Sequence, residues 1–436
     1  MGGQRNIEVG CLQSQRHVLE NSSIGVVLVI SSRTWRWRGT FVSLRNRDFR
    51  WLWLGGLASS ATFQMGTVAQ GWLVYQLTGS AFALGWVGAG WSVSALVLSL
   101  FGGAISDRVE KRDLLLWTRA GMVLSSLVLA VLMSTDAIRI WHLAASSLFN
   151  GVLFSFMMPA QQAMLAELVD RRTLLNAISL SSIGMGLMGI VAASLAGLMI
   201  EFAGVDSVYY AMAALYIWAL FALSRLPATG PAHIGTTSVW SDLKEGVRYL
   251  GVSPAVAAVL GLSLARVLFA MPYGTLMPKF AKDVLGFEAT GLGVLMAAPG
   301  IGSLISSLVV ASLGDFRRKG RLLLAGGVAM GVSLVLFASA SQLLLAILFL
   351  VFVGGSGNIC MVVNQTLLQV DCDDQFRGRV MSMYMMMWGL TPLGTIPAGA
   401  AADRVGVPLV VGLQGGLLAA IFLGVWLLRP RIRRLE

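Results

Sequence analysis

Long apolar stretches of about 20 to 30 residues, separated by short polar breaks, fill the chain from Phe49 onward. A helix needs about 20 apolar residues to cross a bilayer, and backbone in lipid must satisfy its own hydrogen bonds. The stretches lack the alternating pattern of barrel strands, so we predict an all-α integral membrane protein. The twelve predicted transmembrane helices are 51–77, 81–106, 113–134, 140–162, 174–202, 207–225, 254–279, 288–313, 321–339, 342–369, 378–403 and 408–428.

Basic residues are divided unevenly between the breaks. Twenty-four Lys and Arg residues lie in the segment before the first span, in every second break and in the C-terminal tail, whereas the remaining breaks hold four. Because Lys and Arg favour cytoplasmic loops, this asymmetry predicts that both termini are cytoplasmic. Cytoplasmic termini require an even number of spans, and twelve agrees.

The longest break divides the predicted helices into two lobes of six. It begins with Pro227, Gly230 and Pro231, which are typical of a linker, and continues with apolar residues at every third or fourth position from Trp240 to Leu250. That spacing predicts a short amphipathic helix at the membrane surface. The predicted domains are a leader at 1–48, an N-terminal lobe at 49–226, the linker at 227–253, a C-terminal lobe at 254–428 and a basic tail at 429–436.

We expect the leader to be a disordered cytoplasmic segment. Its apolar stretch, Ile24 to Ile30, is too short to cross a membrane, although an amphipathic surface anchor is an alternative.

Composition supports the membrane assignment. Of 436 residues, 56% are hydrophobic and 12% are charged, about half the charged fraction of a soluble domain. The net charge of +11 lies mostly in the breaks between spans, so we expect no nucleic-acid partner. The three cysteines form no CxxC motif, the histidines are scattered and no phosphate-binding GxxxxGK[ST] motif is present. We therefore predict no cofactor, no metal, no enzyme activity and no direct use of ATP.

The two lobes repeat each other in sequence. A charged hinge at 103–112 has a weaker counterpart at 311–321, which places Asp315 208 residues after Asp107. Residues 163–179 align on 366–382 with an offset of 203, and Gly204 aligns on Gly406 with an offset of 202. Repeats at such similar offsets indicate a duplicated transporter with a pathway between its lobes.

From residue 40 to residue 430 the chain resembles the major facilitator superfamily. The hinge resembles the signature of that superfamily, with Glu110 in place of its usual glycine. More specifically, the chain resembles the branch that contains the bacterial enterobactin exporter and macrolide effluxers. The stretches that carry this resemblance are Ser43–Arg50, Trp72–Ser80, Pro159–Ala163, Pro272–Pro278 and Arg377–Ser382.

The resemblance implies alternating access by rocking of the lobes, usually for export. Exporters of this kind often carry an Arg and a Gly-Pro pair in the fifth span, where this chain has Gly189, Ala192 and Ala193. This departure leaves an importer or facilitator of a polar metabolite open as an alternative.

The charged hinges are the predicted gating elements. Asp107 is expected to hold a partner across the lobe interface in one state, while the basic residues bond helix ends. The alternative is that the basic residues only set the topology. The gating residues are Gly103, Asp107, Arg108, Lys111, Arg112, Asp315, Arg377 and Arg379.

Arg266 is the leading candidate for a substrate contact. It lies about twelve residues into its span, and we identify no other basic residue at such depth. A charge there is costly and usually faces a cavity or a partner, although a structural pair or snorkelling is an alternative. Other polar residues inside spans could line the same cavity or bond neighbouring helices. They are Gln64, Gln70, Asn150, Asn358 and Asn364.

No carboxylate lies securely at mid-membrane. Glu201 and Asp403, near span ends, are the candidates for a proton site, and proton coupling is otherwise an expectation from the resemblance.

We therefore predict a monomeric transporter of a bacterial cytoplasmic membrane that exports small amphipathic molecules such as drugs or siderophores. Its expected partners are the lipid bilayer, the small-molecule substrate and protons. A non-transporting membrane receptor is a further alternative.

Overall fold

The computed structural model describes residues 42–106, 110–169, 173–227, 245, 248–313, 318–433 and 435. Residues Ser43–Glu436 form one compact unit. The regular structure of the described residues is helical and contains no strand. The predicted all-helical class is therefore confirmed, whereas the predicted leader lies almost entirely outside the described residues.

Local sequence signals set the helix boundaries. The Asn46 side chain accepts hydrogen bonds from the backbone N–H groups of Asp48 and Phe49 and so caps the first long helix. That helix ends at Gly79, which adopts a left-handed φ of 63° and donates its N–H to the Tyr75 carbonyl. The helices are α1 (Arg47–Thr78), α2 (Ala81–Ser106), α3 (Lys111–Ser134), α4 (Ile140–Leu168), α5 (Leu174–Ser224), α6 (Pro254–Phe269), α7 (Pro272–Lys279), α8 (Ala289–Leu313), α9 (Lys319–Ala338), α10 (Leu343–Val370), α11 (Asp374–Met386), α12 (Pro392–Val405), α13 (Val407–Leu428) and α14 (Pro430–Arg433).

Two of the predicted spans are broken helices, since 254–279 divides into α6 and α7 and 378–403 divides into α11 and α12. Gly204, with φ 83° and ψ 162°, interrupts α5 between the predicted spans 174–202 and 207–225. A π-helical turn, Phe280–Val284, follows α7, and a 3-10 turn, Met387–Leu390, separates α11 from α12. Among the described residues, nine helices are long and apolar enough to cross a membrane.

The helices pack in the same way in each half of the chain. In the N-terminal half (α1–α5), α2 packs on α4, and α3 packs on both α4 and α5. In the C-terminal half (α6–α14), α8 packs on α10, and α9 packs on both α10 and α13. The halves meet along two seams, α2 against α12 and α5 against α8. This arrangement is what a duplicated six-helix unit produces.

Glycines with positive φ repeat between the halves. Gly204 and Gly406, 202 residues apart, have φ values of 83° and 87° and ψ values of 162° and 151°. Gly79 and Gly286 likewise have φ values of 63° and 69°. The angles of Gly204 and Gly406 are essentially restricted to glycine, and the left-handed φ of Gly79 and Gly286 costs a glycine no strain, which explains why the same residue type recurs at these four turns. They lie at one end of the bundle, which we call the latch end; the opposite end, where α2 leads into α3, is the hinge end.

Candidate gate and buried polar clusters

A carboxylate from the C-terminal half caps a helix of the N-terminal half at the latch end. Asp403 Oδ1 accepts a hydrogen bond from the Ala81 N–H at 2.7 Å, and its Oδ2 accepts from the Phe82 N–H at 3.0 Å and the Ser80 hydroxyl at 2.6 Å. Lys279 Nζ lies 2.7 Å from Oδ1 and pairs with the charge. A carboxylate at a helix N-terminus typically contributes about 0.3–1 kcal/mol, and these bonds favour its charged form.

The opposite pairing closes the other seam. Glu201, at the end of the first part of α5, accepts a hydrogen bond from the Thr290 N–H in the first turn of α8, at 3.1 Å. Asp403 follows Glu201 by 202 residues, and Thr290 follows Phe82 by 208. Each half therefore supplies a carboxylate to the first turn of a helix in the other half. We call these two contacts the carboxylate latches.

A third contact joins the halves beside the latches. The Tyr75 hydroxyl, in the last turn of α1, lies 2.6 Å from both carboxylate oxygens of Asp283 and donates its hydrogen bond to them. Next to it, Lys282 Nζ lies 5.3 Å from the centre of the Trp72 ring, within the range of a cation–π interaction. A cleft of about 390 Å³ opens here, lined by both halves and by Glu201.

Small residues bring the two halves into backbone contact along both seams. A β-carbon at Gly85 of α2 would lie 2.9 Å from the Thr395 carbonyl oxygen of α12, and one at Gly399 would collide with α2. On the other seam, a β-carbon at Gly197 or at Gly293 would meet the backbone of the facing helix. Such close approach is typical of helices that associate in lipid.

The fifth-span positions that depart from the exporter pattern contact two different neighbours. Ala192 and Ala193 are buried, and the Ala193 carbonyl faces Gly293 of α8. Gly189 faces α1, where a β-carbon would lie 3.5 Å from Gln64 Nε2. The small side chains at 192 and 193 thus serve the packing of α5 on α8.

At the hinge end, the predicted basic residues hold helix ends of the N-terminal half together. Lys111, 3% exposed, forms an ion pair with Glu167 at the end of α4. Arg112 donates a hydrogen bond from Nη2 to the Ser224 carbonyl at the end of α5, at 2.9 Å. Gly103 lies in the last part of α2. The other hinge residues, Asp107, Arg108 and Asp315, lie outside the described residues.

The start of α11 is tied to the linker. Arg379 Nη1 pairs with Glu245 Oε2 at 2.8 Å, and the Arg379 guanidinium lies 5.5 Å from the Phe376 ring centre. Phe376 in turn stacks on Tyr249 at 4.5 Å. Arg377 is exposed at the same end. The predicted amphipathic segment falls largely outside the described residues, but its residues 248–252 are helical.

Arg266 lies deep inside the C-terminal half. Its side chain is 4% exposed, and its guanidinium carbon lies 5.5 Å from the centre of the Trp388 ring. Tyr273, Cys360 and Tyr384 are close enough to interact with its charge. The predicted deep burial of this arginine is therefore present, in contact with α10 and α11.

A second buried arginine corrects the sequence prediction that Arg266 stands alone. Arg119 of α3 is 3% exposed, and its Nη2 donates a hydrogen bond to Gln161 Oε1 at 3.2 Å. It lies on the face of α3 that also buries Leu115 and Met122. That four-residue spacing from Leu115 was the signal in the sequence that could have identified it.

The predicted cavity residues divide into two groups. Asn150 donates from Nδ2 to Ser125 Oγ at 3.1 Å and to the Ser146 carbonyl at 2.9 Å, within its own half. Asn358, 208 residues later, donates to Ser306 Oγ and Ser307 Oγ, each at 2.9 Å. These two asparagines therefore join neighbouring helices.

The second group of predicted cavity residues consists of Gln64, Gln70 and Asn364. Gln64 and Gln70 are half-buried on α1, whereas Asn364 is fully buried and its amide atoms have no hydrogen-bond partner among the described residues.

Residues 38–436 match the profile of the transmembrane secretion effector family, MFS_3. The chain belongs to this family. It is a membrane transporter of major facilitator type and not an enzyme, which confirms the resemblance found in its sequence.

Three relatives are similar to this chain over most of their length and most of its own. The chain is 28% identical to the multidrug efflux pump Tap of Mycolicibacterium fortuitum, over 85% of the chain and 92% of that protein. It is 24% identical to the staphyloferrin A transporter of Staphylococcus aureus, over 73% and 81%, and 25% identical to the enterobactin exporter EntS of Escherichia coli, over 72% and 78%.

Solved transporter structures share the fold. The nucleoside transporter NupG superposes with a TM-score of 0.70 at 15% identity, over 87% of this chain and 98% of that one. A POT family transporter gives 0.73 at 10% identity, over 88% and 96%. At these identities the likeness concerns the fold alone.

Proposed function

We propose that this chain is a secondary transporter that exports small amphipathic molecules, of the drug or siderophore type, by alternating access. The carboxylate latches carry the proposal, because they join opposite halves at one end of a duplicated bundle. The names of the relatives, a multidrug efflux pump and siderophore transporters, support the substrate class and the direction.

The proposed topology has twelve spans and cytoplasmic termini. The nine helices that qualify by length and composition leave out α1 and the α11–α12 pair, and they count α5 once although Gly204 divides it. With the basic breaks in the cytoplasm, the latch end faces outward. The proposed location is a bacterial cytoplasmic membrane, and the proposed unit is a monomer.

Alternating access then requires the latches to open. Each latch places a carboxylate at a helix N-terminus, and the Asp403 latch adds the ion pair with Lys279. A charge at a helix N-terminus is worth about 0.3–1 kcal/mol, up to about 2 kcal/mol when partly buried. Contacts of this size can break and reform within a transport cycle. The charged hinge around Asp107 is the element that would hold the opposite end closed after the latches open.

We further propose that transport is coupled to protons. A proton on Glu201 or Asp403 would remove the charge that the helix N-terminus stabilises, and so favour opening toward the outside. This keeps both residues as the candidate proton sites. Lys279 and the N-terminus of α2 hold Asp403 in its charged form.

Transport in membrane vesicles of both orientations tests the proposal. Inside-out vesicles containing the protein should accumulate drugs or siderophores from a panel, and collapsing the proton gradient should abolish the accumulation. Accumulation only in right-side-out vesicles would indicate an importer. Binding without any flux into proteoliposomes would indicate a receptor and would also contradict the proposal.

A further inference from the structure

The two helix breaks of the C-terminal half lie beside Arg266. α6 ends just after it, and the Arg266 carbonyl accepts hydrogen bonds from the N–H groups of both Ala270 and Met271, at 2.8 and 3.2 Å. The second break, the 3-10 turn Met387–Leu390, carries the Trp388 ring that contacts the guanidinium. In transporters, interrupted helices within the membrane commonly form the binding site.

The two broken helices are in direct contact. A β-carbon at Gly394, in the first turn of α12, would collide with the Leu268 carbonyl oxygen in the last turn of α6. A shift of the 3-10 turn therefore acts directly on the end of α6 and on Arg266. A 3-10 stretch inside a long helix often marks a functional hinge.

Buried polar atoms around Arg266 lack hydrogen-bond partners among the described residues. They are Arg266 Nε and both amide atoms of Asn364. The Tyr384 hydroxyl lies within hydrogen-bond reach of the Arg266 guanidinium. Tyr384 and Asn364 are 1% and 0% exposed. Asn364 lies one helical turn along α10 from Cys360, which interacts with the Arg266 charge. Unsatisfied buried polar groups are uncommon in native proteins, and such groups beside a buried charge mark a candidate binding site.

The charge of Arg266 is also uncompensated in the part of the chain that the structure describes. None of the ion pairs described there includes it. The groups found near it are the phenols of Tyr273 and Tyr384 and the thiol of Cys360. An anion would stabilise a guanidinium buried in this way, because its planar donors suit a carboxylate held by two hydrogen bonds.

Arg119 provides the contrast within the same protein. It is buried to the same extent, but Gln161 accepts a hydrogen bond from it, and it lies inside the continuous helix α3. Burial of an arginine alone therefore does not distinguish the Arg266 cluster. Arg119 Nε likewise has no hydrogen-bond partner among the described residues. The Arg266 cluster differs in its two helix breaks, the unsatisfied amide of Asn364 and the Trp388 ring.

We propose that Arg266, Asn364, Tyr384 and Trp388 form a binding site for the carboxylate of an aromatic or amphipathic organic anion. Arg266 pairs with the carboxylate, Tyr384 and Asn364 supply further hydrogen bonds, and the Trp388 ring contacts the apolar part. Because Arg266 is almost fully covered, the anion reaches it when the 3-10 turn moves aside. The identification of this anion as the transported molecule rests on the proposed function; the binding itself does not.

Three probes that share a naphthalene ring and carry a negative, a neutral or a positive substituent test the site: 1-naphthoate, 1-naphthalenemethanol and 1-naphthylmethylammonium. Their dissociation constants are measured by equilibrium dialysis on the purified full-length protein in detergent. We expect the naphthoate to bind at least about 10-fold more tightly than the other two, the factor that one charge-assisted contact readily provides. Equal binding of the three probes, or no binding of the naphthoate, would overturn the proposal.

Substitutions of Arg266 test whether the naphthoate binds at this residue. Arg266→Gln should abolish the preference for the naphthoate, and Arg266→Lys should keep part of it, since it retains the charge but loses the planar donors. The matched control is Arg119→Gln, which removes an equally buried arginine and should leave the preference intact; thermal unfolding verifies that each variant is folded. A folded Arg266→Gln protein that still prefers the naphthoate would refute the site. If that variant does not fold, the order of the three probes on the wild-type protein and on Arg266→Lys decides.

This binding assay involves no transport. A protein that selects the naphthoate but moves nothing would contradict the proposed function and leave the site standing. A protein that exports drugs but binds the three probes equally would contradict the site and leave the proposed function standing.

Discussion

Asp403 accepts a hydrogen bond from the Ala81 N–H at 2.7 Å, so a side chain near the end of α12 closes the first turn of α2 in the other half. Glu201 and Thr290 make the corresponding contact between α5 and α8. Two related contacts at one end of a duplicated bundle are what a symmetric gate needs. Both seams must separate at that end before the other side of the membrane becomes accessible.

Neutralising Asp403 should open the latch end. Asp403→Asn keeps the shape of the side chain but removes the charge that Lys279 and the α2 N-terminus stabilise, and hydrogen bonds to a charged group are worth about 1.5–3 kcal/mol. We expect a cysteine placed at Thr395, which is buried in the seam, to react at least about 10-fold faster with an impermeant maleimide added outside. The control is Arg404→Gln, an exposed neighbour that should leave the rate unchanged. An unaltered rate in Asp403→Asn would count against a gating role.

The second latch should act on the same opening. Glu201→Gln weakens the cap on α8 and should accelerate labelling of the same cysteine, although by less than Asp403→Asn, because fewer hydrogen bonds are described for Glu201. The two latches are separate contacts that hold the same closed state. Their effects on the labelling rate should therefore multiply in the double variant. A double variant that labels no faster than Asp403→Asn would show that Glu201 does not hold the gate.

A methyl group in the seam should also favour opening. The β-carbon of Gly85→Ala would lie 2.9 Å from the Thr395 carbonyl oxygen, closer than real contacts, and overpacking typically costs about 1–3 kcal/mol. Gly88→Ala is the matched control on the same helix, because no atom lies within 4 Å of its added β-carbon. The added methyl group lies in the α2–α12 seam and would itself affect the labelling of a cysteine there. Labelling is therefore measured at a cysteine that replaces Thr290 on the other seam. Equal labelling of the two variants would mean that the α2–α12 contact does not control the gate.

Much of this architecture follows from the sequence. Apolar length predicts helices, charge asymmetry predicts the topology, and the repeat at offsets of 202 to 208 residues anticipates the paired turns at Gly204 and Gly406. Even the division of α5 is visible, because the polar residues around Gly204 separate two apolar stretches. Each of these features can be predicted from the residues of the segments themselves, without knowing which helices pack together.

The latches were not predictable in the same way. Glu201 and Asp403 stand out as carboxylates near span ends, but only the packing of α5 on α8 and of α12 on α2 gives them helix N-termini as partners. The spacing from Leu115 indicates that Arg119 is buried, but its partner Gln161 likewise depends on the facing helix. Periodicity predicts which face of a helix is buried, whereas the identity of the facing helix is a property of the assembled bundle.

Cross-linking the α5–α8 latch tests the central claim most directly. Glu201→Cys and Thr290→Cys are combined in a chain whose native Cys11, Cys360 and Cys372 are replaced, and a short thiol-reactive cross-linker is applied before export is measured in inside-out vesicles. The matched control joins Ser125→Cys to Ser146→Cys, whose hydroxyls lie 2.9 Å apart within one half.

If the latches must open in each transport cycle, the cross-link between 201 and 290 abolishes export, a cleavable linker restores it on reduction, and the control cross-link has no effect. Export that continues at the wild-type rate with the 201–290 pair fully cross-linked would contradict the gate.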